Sequence, residues 1–299
     1  GLLRNLLVRK GINTGEILVD IVTTSETLLD EEEFARGILS MPLHGKLTGV
    51  LHTLNDGVAD AVKNDSTSVI YGRDYIYDEV LGLRFKISIF SFFQTNTHGA
   101  ELLYSKVREY VELASGNMSR TDRDETSETG DIGVAKAIGV ARGTGVTRGI
   151  GVYRGIGVVY DLYSGTGTIA QLMADVASRV YGVEIVPEAV EAAGVNAGLN
   201  HIDNVQFICG DVLKVLDDLA EKPDLIILDP PRDGVNPKAL KKILEYGVQN
   251  IVYISCKITS LARDLHPILD AGYRPVRISV TDMFPKTANV EVVSLLDLI

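Results

Sequence analysis

Residues 157–184, GVVYDLYSGTGTIAQLMADVASRVYGVE, decide the fold. An apolar run reaches Asp161-Leu162-Tyr163 and opens into a turn carrying Gly165 and Gly167. The helical stretch TIAQLMADVA follows, then a second apolar run, RVYGVEI. The alternation continues through PEAVEAAGVNAGLN, a helix with Pro187 in its first turn, where a missing N–H costs nothing. VQFICGD, DLIILDPP and NIVYISC read as further buried strands, with the helix KALKKILEYG between the last two. Apolar strands separated by helices predict a mostly parallel sheet covered on both faces. The end, YRPVRISVTDMFP with NVEVVSLLDLI, predicts an antiparallel closing hairpin.

Toward the N-terminus the texture differs. Over residues 3–22, LRNLLVRK and GEILVDIVT alternate apolar and polar residues around a turn with Gly11, Asn13 and Gly15, which predicts a hairpin. DEEEFARGILS (30–40) predicts a short helix capped by Asp30, with acids in its first turn. Short strands follow near 47–54 and over 68–88. HGAELLYSKVREYVELA (98–114) predicts an amphipathic helix with Leu102, Val107, Val111 and Ala114 on one side. Beyond this helix, after a polar stretch, stands a low-complexity tract with a six-residue period: IGVAKA, IGVARG, TGVTRG, IGVYRG, IGVVYD. Its glycines make ordering entropically costly, so it reads as a poorly ordered loop; the other reading is a basic strip touching phosphates. The organisation expected is an α+β domain over 1–90 and an α/β domain over 91–299, with 116–158 as an insert.

Among 299 residues, 45% are hydrophobic and 23% charged, an ordinary globular composition, and no apolar run is long enough to span a membrane. No signal peptide is expected. The two distant cysteines, Cys209 and Cys256, suggest a reducing, cytoplasmic setting and leave thiols available for chemistry. The net charge of -11 runs against phosphate binding unless basic residues cluster locally.

In an open α/β sheet, ligands bind at the carboxyl ends of the strands. Four features fall there: the turn 161–168, Glu184, Gly210-Asp211 and Asp229-Pro230-Pro231. Glycines admit a ligand close to the backbone, Tyr163 can flank it, and strand-end acids accept hydrogen bonds from ribose hydroxyls or an amino group. Together they predict a nucleotide-type ligand. The turn reads GTGT, without the third glycine of GxGxxG, which favours S-adenosyl-L-methionine over NAD. Cys256 ends an apolar strand on the same rim, where Lys257, Arg263 and the next helix start would favour its thiolate. Cys209 reads as a buried small hydrophobe. Glu291, inside an apolar strand, is either solvent-facing or a base.

FSFFQTN (90–96), DLYSGTGTIA (161–170), GVE (182–184), LDPPR (228–232), YISC with LARDL (253–265) and DMFP with VE (282–291) resemble the RNA uridine-C5 methyltransferase family, whose members modify 23S ribosomal RNA or tRNA. The resemblance implies a Rossmann-like S-adenosyl-L-methionine methyltransferase domain with a smaller N-terminal α+β domain. It implies that Gln94, Tyr163, Glu184, Asp229 and, less closely matched, Asp211 hold the cofactor, that Cys256 is the nucleophile and that Glu291 is the base. GLLRNLLVRK, TGE and YGRDYIY resemble the ribosomal-RNA branch, so 23S ribosomal RNA is preferred over tRNA. Neither a membrane nor a metal partner is expected. Three positions depart from the family pattern: Lys257-Ile258 where Asn-Pro is usual, and Asn289 where His is frequent.

These groups suit the reaction. Uracil C5 is too weak a nucleophile to be methylated directly, but thiolate addition at C6 places electron density on it. A base then removes the C5 proton so that the cysteine can leave. The target must be single-stranded or flipped out, with Phe92, Phe93 and Tyr163 as candidate stacking surfaces. Amino-group methyltransferases place an aromatic after (D/N)PP, and cytosine-C5 enzymes a cysteine; here it is Arg232. The rival from another class is a non-catalytic RNA-binding or assembly protein retaining the fold.

Overall fold

A computed structural model describes residues 2–26, 28–57, 66–116 and 156–299. Nearly all of the repeat tract lies outside them. By its internal contacts the chain divides into one unit of Gly1–Thr97 with Gly198–His201, and a second of His98–Ala197 with Ile202–Ile299.

In the first unit, β1 (Leu3–Lys10) and β2 (Glu16–Thr23) form the expected hairpin, with Leu7 paired to Asp20. The helix α1 (Glu31–Leu39) follows; Asp30 caps it by accepting from the Glu33 N–H at 2.8 Å. It crosses over to β3 (Lys46–Leu54), which runs parallel to β2, and β4 (Ser66–Gly72) completes the order β1-β2-β3-β4. β5 (Tyr75–Val80) and β6 (Leu83–Ser88) make a separate antiparallel hairpin. β5 packs against β2 and β3. With α1 against β3 and β4 as well, β2 is buried along almost its whole length instead of alternating; inside, one oxygen of Asp20 accepts from the Thr53 hydroxyl at 2.9 Å while the other has no hydrogen-bond partner.

In the second unit, α2 (Thr97–Ala114) buries Ala100, Leu103, Tyr104, Val107, Tyr110 and Val111. Leu102 is exposed, contrary to expectation, because the stripe at helical spacing runs through 100, 103, 104, 107 and 111. The sheet contains β7 (Ile156–Leu162), β8 (Ala177–Glu184), β9 (Val205–Cys209), β10 (Leu225–Leu228), β11 (Asn250–Ser255), β12 (Tyr273–Thr281) and β13 (Glu291–Leu298). Their order is β12-β13-β11-β10-β7-β8-β9. β7 through β11 are parallel, and β13 inserts antiparallel between β11 and β12, so the closing hairpin is as read. Helices α3 (Thr168–Met173), α4 (Pro187–Leu199), α5 (Val212–Asp218), α6 (Pro237–Leu244) and α7 (Ile258–Asp270) connect the strands. α3 is shorter than TIAQLMADVA suggested, since the chain turns at Ala174.

The core is Val, Ile, Leu and Tyr from the strands against one face of each helix, including Tyr160, Ile226, Leu228, Leu240, Ile243 and Leu296. The chain moves outward from β7 to β8 and β9, then returns to β10 on the other side of β7. That reversal opens a crevice at the carboxyl ends of β7 and β10, the place where open α/β sheets take ligands.

Candidate active site

Each parallel strand of the second unit ends on one rim, and the antiparallel β13 starts there. Tyr163 follows β7, Glu184 ends β8, Asp211 follows β9, Asp229 follows β10 and Cys256 follows β11, while Glu291 opens β13. Six of the seven expected site residues thus share an edge of one sheet. The seventh, Gln94, belongs to the other unit, half-buried in the connection between β6 and α2.

At the β7 end the backbone is held tightly. The N–H groups of Tyr163 and Ser164 both donate to the Val183 carbonyl, at 2.9 and 3.0 Å, and Gly167 N–H donates to the Ser164 carbonyl. Tyr163 (φ 69°), Gly165 (53°) and Gly167 (75°) lie in the left-handed region. A Cβ on Gly167 would meet the Phe207 ring at 2.5 Å, so glycine is required on space as well as on backbone angle. Glu184 accepts from the Gly165 N–H at 2.9 Å and from Val186 N–H at 3.0 Å, which ties the second strand end to the turn. Asp211 is exposed and caps α5, accepting from Leu213 N–H at 2.8 Å. It also bears on Tyr163, whose hydroxyl burial, Asp211 and Asp264 together push up to about 12.

Beneath the turn lies a group that the sequence reading quoted but gave no role. Asp161 is fully buried, and neither carboxylate oxygen has a hydrogen-bond partner. Burial, with Asp229 and Glu184 adding repulsion, pushes it up to about 8; the Ala170 N–H pulls the other way without reaching hydrogen-bond geometry. The Ser164 hydroxyl is likewise buried without a partner. A strand that ends DLYSG shows an acid there, but only tertiary packing shows it orphaned.

At the other end of the crevice, Ser255 pairs with Val292, so the next residues outward are Cys256 and Glu291. Cys256 is half-buried and Glu291 is 5% exposed. Burial raises the thiol above its usual range, and the charges of Glu291 and Asp229 raise it further, while Arg232 lowers it. Glu291 is pushed up to about 7 by burial and then Asp229, again opposed by Arg232. Burial pushes Asp229 to about 7 as well. A thiol, two carboxyls and one guanidinium therefore share a single electrostatic neighbourhood.

This corrects three expectations. Cys256 is held protonated more firmly than an ordinary thiol. The opposing cation is Arg232, whereas Arg263 is engaged with Asp264 at 2.6 Å and with the Asp233 carbonyl. Cys209 is exposed, because β9 is an edge strand, and is no buried hydrophobe. The loop that carries Arg232 is pinned by α7: Ser260 donates to the Arg232 carbonyl at 2.6 Å, and buried Asp264 accepts from Val235 N–H and from the Tyr253 hydroxyl, each at 2.7 Å. The LARDL motif showed Asp264 without showing what it holds. The departures lie close by: Lys257 N-caps α7, and Asn289 is exposed just before β13.

With this geometry, residues 157–272 match the family model described as a methyltransferase domain. The chain carries a methyltransferase domain. It is 44% identical over 99% of its length to an uncharacterized RNA methyltransferase of Clostridium acetobutylicum, and 42% identical over 99% to one of Caldanaerobacter subterraneus. The chain spans 56% and 57% of those relatives, a little over half their length. Among solved structures it is similar to the Pyrococcus abyssi tRNA (uracil-54, C5)-methyltransferase in complex with S-adenosyl-L-homocysteine. The TM-score is 0.71 at 26% identity, over 99% of this chain and 60% of that one. Both β7, from Gly157 onward, and β10 fall within the matched residues. Among the described residues, no helix is long and apolar enough to cross a membrane.

Proposed function

We propose that this chain is the catalytic part of an S-adenosyl-L-methionine-dependent RNA methyltransferase that methylates C5 of uridine. The observation that carries the reading is the Cys256–Glu291 juxtaposition beside Asp229 and Arg232, on the rim that also holds the glycine turn.

The turn suits the cofactor. Gly165 has nothing within 4 Å of an added Cβ, so a ligand can approach bare backbone. Asp161 and Ser164 have buried oxygens without partners. The site is rich in carboxylates, which suits a ligand with ribose hydroxyls, an ammonium group and a sulfonium cation, and opposes a pyrophosphate. Tyr163, Glu184, Asp229 and Asp211 are the proposed holders there. Gln94 is proposed on its motif alone.

When bound, the cofactor supplies an electrophilic methyl group. Cys256 Sγ adds to C6 of the uracil and leaves an enolate with its electron pair directed to C5. Arg232 opposes the rise of the thiol's pKa and so favours the attacking thiolate. After C5 is methylated, Glu291, poised near neutrality, takes the C5 proton, the C5=C6 bond re-forms and Cys256 leaves as thiolate. Asp229, also near neutrality, is placed to orient the ring or the methyl donor.

Large-subunit ribosomal RNA is the proposed substrate, on the N-terminal motifs; tRNA, named for the Pyrococcus enzyme, is the alternative. The test is incubation of the protein with S-adenosyl-L-methionine and RNA containing 5-fluorouridine, which lacks the C5 proton that Glu291 must remove. A covalent adduct absent in Cys256→Ala supports the reading. Cofactor and RNA binding with no adduct would favour a non-catalytic RNA-binding protein instead.

A further inference from the structure

Arg232 is the cation that opposes the rise of the Cys256 thiol, yet it is exposed. Among the described residues, no hydrogen bond or ion pair holds its guanidinium. Where that charge stands is therefore set by the backbone that carries it. This backbone, residues 229–235, leads from the end of β10 toward α6 and is neither helix nor strand.

Three side chains of α7 hold it. Ser260, Arg263 and Asp264 stand three and four positions apart, the spacing that puts side chains on one side of a helix. The buried Ser260 donates from its hydroxyl to the Arg232 carbonyl at 2.6 Å. Arg263 donates to the Asp233 carbonyl at 2.6 Å, and buried Asp264 accepts from the Val235 N–H at 2.7 Å. Between these held residues lies Gly234, at φ 76°. A Cβ there would run into the Arg263 guanidinium and stand 2.5 Å from the Asp264 carboxylate. The loop is seated on the helix with no room for a side chain at that point.

The same helix begins beside the thiol, for Lys257 is its N-cap and Cys256 the residue before. Asp264 also accepts from the Tyr253 hydroxyl of β11, three residues before Cys256, and from Arg263 at 2.6 and 2.8 Å. One buried carboxylate thus ties the strand that ends at the thiol to the loop that carries the guanidinium. Buried there, it cannot exchange a lost donor for water.

We propose that Ser260, Arg263 and Asp264 are positioning residues, whose grip on the backbone of residues 232–235 holds the Arg232 guanidinium at the Cys256–Glu291 pair. They act through Arg232 and not on the substrate. The groups that bear on the thiol are Glu291 of β13 with Asp229 and Arg232 of the loop. From α7 come Lys257, at its N-cap, and Arg263, already engaged with Asp264 and the Asp233 carbonyl. Two acids raise the thiol's pKa and Arg232 lowers it, so displacing that cation changes how much thiolate forms. The inference deepens the proposed function and rests on its reading of Cys256 as the nucleophile.

The experiment reads the thiol itself. Alkylation of the full chain by iodoacetamide is followed against pH in a Cys209→Ser background, which leaves Cys256 as the one cysteine. The variants are Ser260→Ala, Asp264→Asn, Arg232→Ala and Ser260→Ala/Arg232→Ala. Tyr273→Phe is the structural control, removing a buried hydroxyl's bond to the Val248 carbonyl at the end of β12 away from the rim. Thermal melts identify the folded variants; Ser260→Ala loses a single neutral donor and decides the matter if Asp264→Asn does not fold.

Ser260→Ala is expected to raise the alkylation midpoint by about 0.5 pH, slowing the reaction at pH 7 roughly three-fold. Asp264→Asn and Arg232→Ala are expected to raise it by about 1 pH, a roughly ten-fold slowing. Ser260→Ala shifts nothing further once Arg232→Ala is present, because the serine acts through the arginine. Tyr273→Phe leaves the midpoint in place, however far it lowers the melting temperature. A Ser260→Ala midpoint equal to the parent's, shifts that add in the double variant, or an equal shift in Tyr273→Phe overturns the clamp. The 5-fluorouridine adduct is scored separately: shifted alkylation in a protein that forms no adduct retains the clamp and removes the methylation reading.

Discussion

The Glu291 carboxylate bears directly on the Cys256 thiol: after burial it is the largest cause raising that thiol's pKa. The two residues are 35 positions apart in sequence, and β11 meets β13 in a register that brings them to the same level of the rim. A nucleophile whose pKa is raised by the charge of its neighbouring base is not cheaply ionised beside the ionised base. The proposed cycle asks each to be ionised at a different step.

Removing each member therefore gives a different failure. Cys256→Ala is expected to abolish the covalent adduct and to lower methyl transfer by at least ~1000-fold, since the nucleophile itself is gone. Glu291→Gln is expected to lower turnover about 100- to 10,000-fold while RNA bound through Cys256 accumulates, because addition survives and proton removal does not. Denaturing gels and single-turnover transfer of labelled methyl groups read both. An adduct of normal lifetime in Glu291→Gln counts against the base assignment.

The activity should rise with pH. Glu291 stands at about 7, so its basic form grows through neutrality, and Cys256, raised above the usual thiol range, extends the rise into alkaline solution. Arg232 pulls both down; Arg232→Ala is expected to shift the profile upward in pH, and Arg232→Lys to restore part of the shift. Rate against pH under single-turnover conditions checks this.

Asp161 predicts a stability effect of the same origin. Its folded value of about 8 exceeds the ordinary carboxyl value of 3.8, so the folded state binds the extra proton between those limits. Stability from this group is full below about pH 4 and is lost as pH rises through about 8. Asp161→Asn keeps the shape and removes the titration. It should melt close to the wild type at low pH and several degrees higher at pH 9, of the order of 2–4 °C per kcal/mol for a domain of this size. It should also weaken cofactor binding, measured by calorimetry.

Gly167→Ala tests the turn. The added methyl faces the Phe207 ring at 2.5 Å with φ at 75°, so a loss of about 1–3 kcal/mol in stability is expected, with at least ten-fold weaker cofactor binding. Denaturant unfolding and calorimetry measure the two. Gly194→Ala, where an added Cβ meets nothing within 4 Å, is the control expected to change little.

Much of this was legible in the sequence because it depends on local pattern. Continuous apolar runs between amphipathic segments specified the parallel sheet, and DLYSGTGT marked the turn. Asp30 announced a helix start that the structure contains. Cys256 and Asp229 were visible as chemistry-bearing residues at strand ends, and Glu291 as an acid inside an apolar run. Where reading failed, a neighbour far along the chain was responsible. Leu102 faces solvent because the stripe is set by what α2 packs on, and Cys209 is exposed because β9 lies at the sheet edge.

The sequence by itself determined element types, their order and which side chains carry reactive groups, since these follow from periodicity and residue chemistry over a few positions. Tertiary structure alone decided how those groups are tuned: that Arg232 and not Arg263 opposes the rise at Cys256, that Asp161 is buried without a partner, and that the cations of β6 rest on the tyrosines of β5. Ionisation and cation–π contact depend on distance and on exclusion of water, and both are set by strand register and packing between segments remote in the chain.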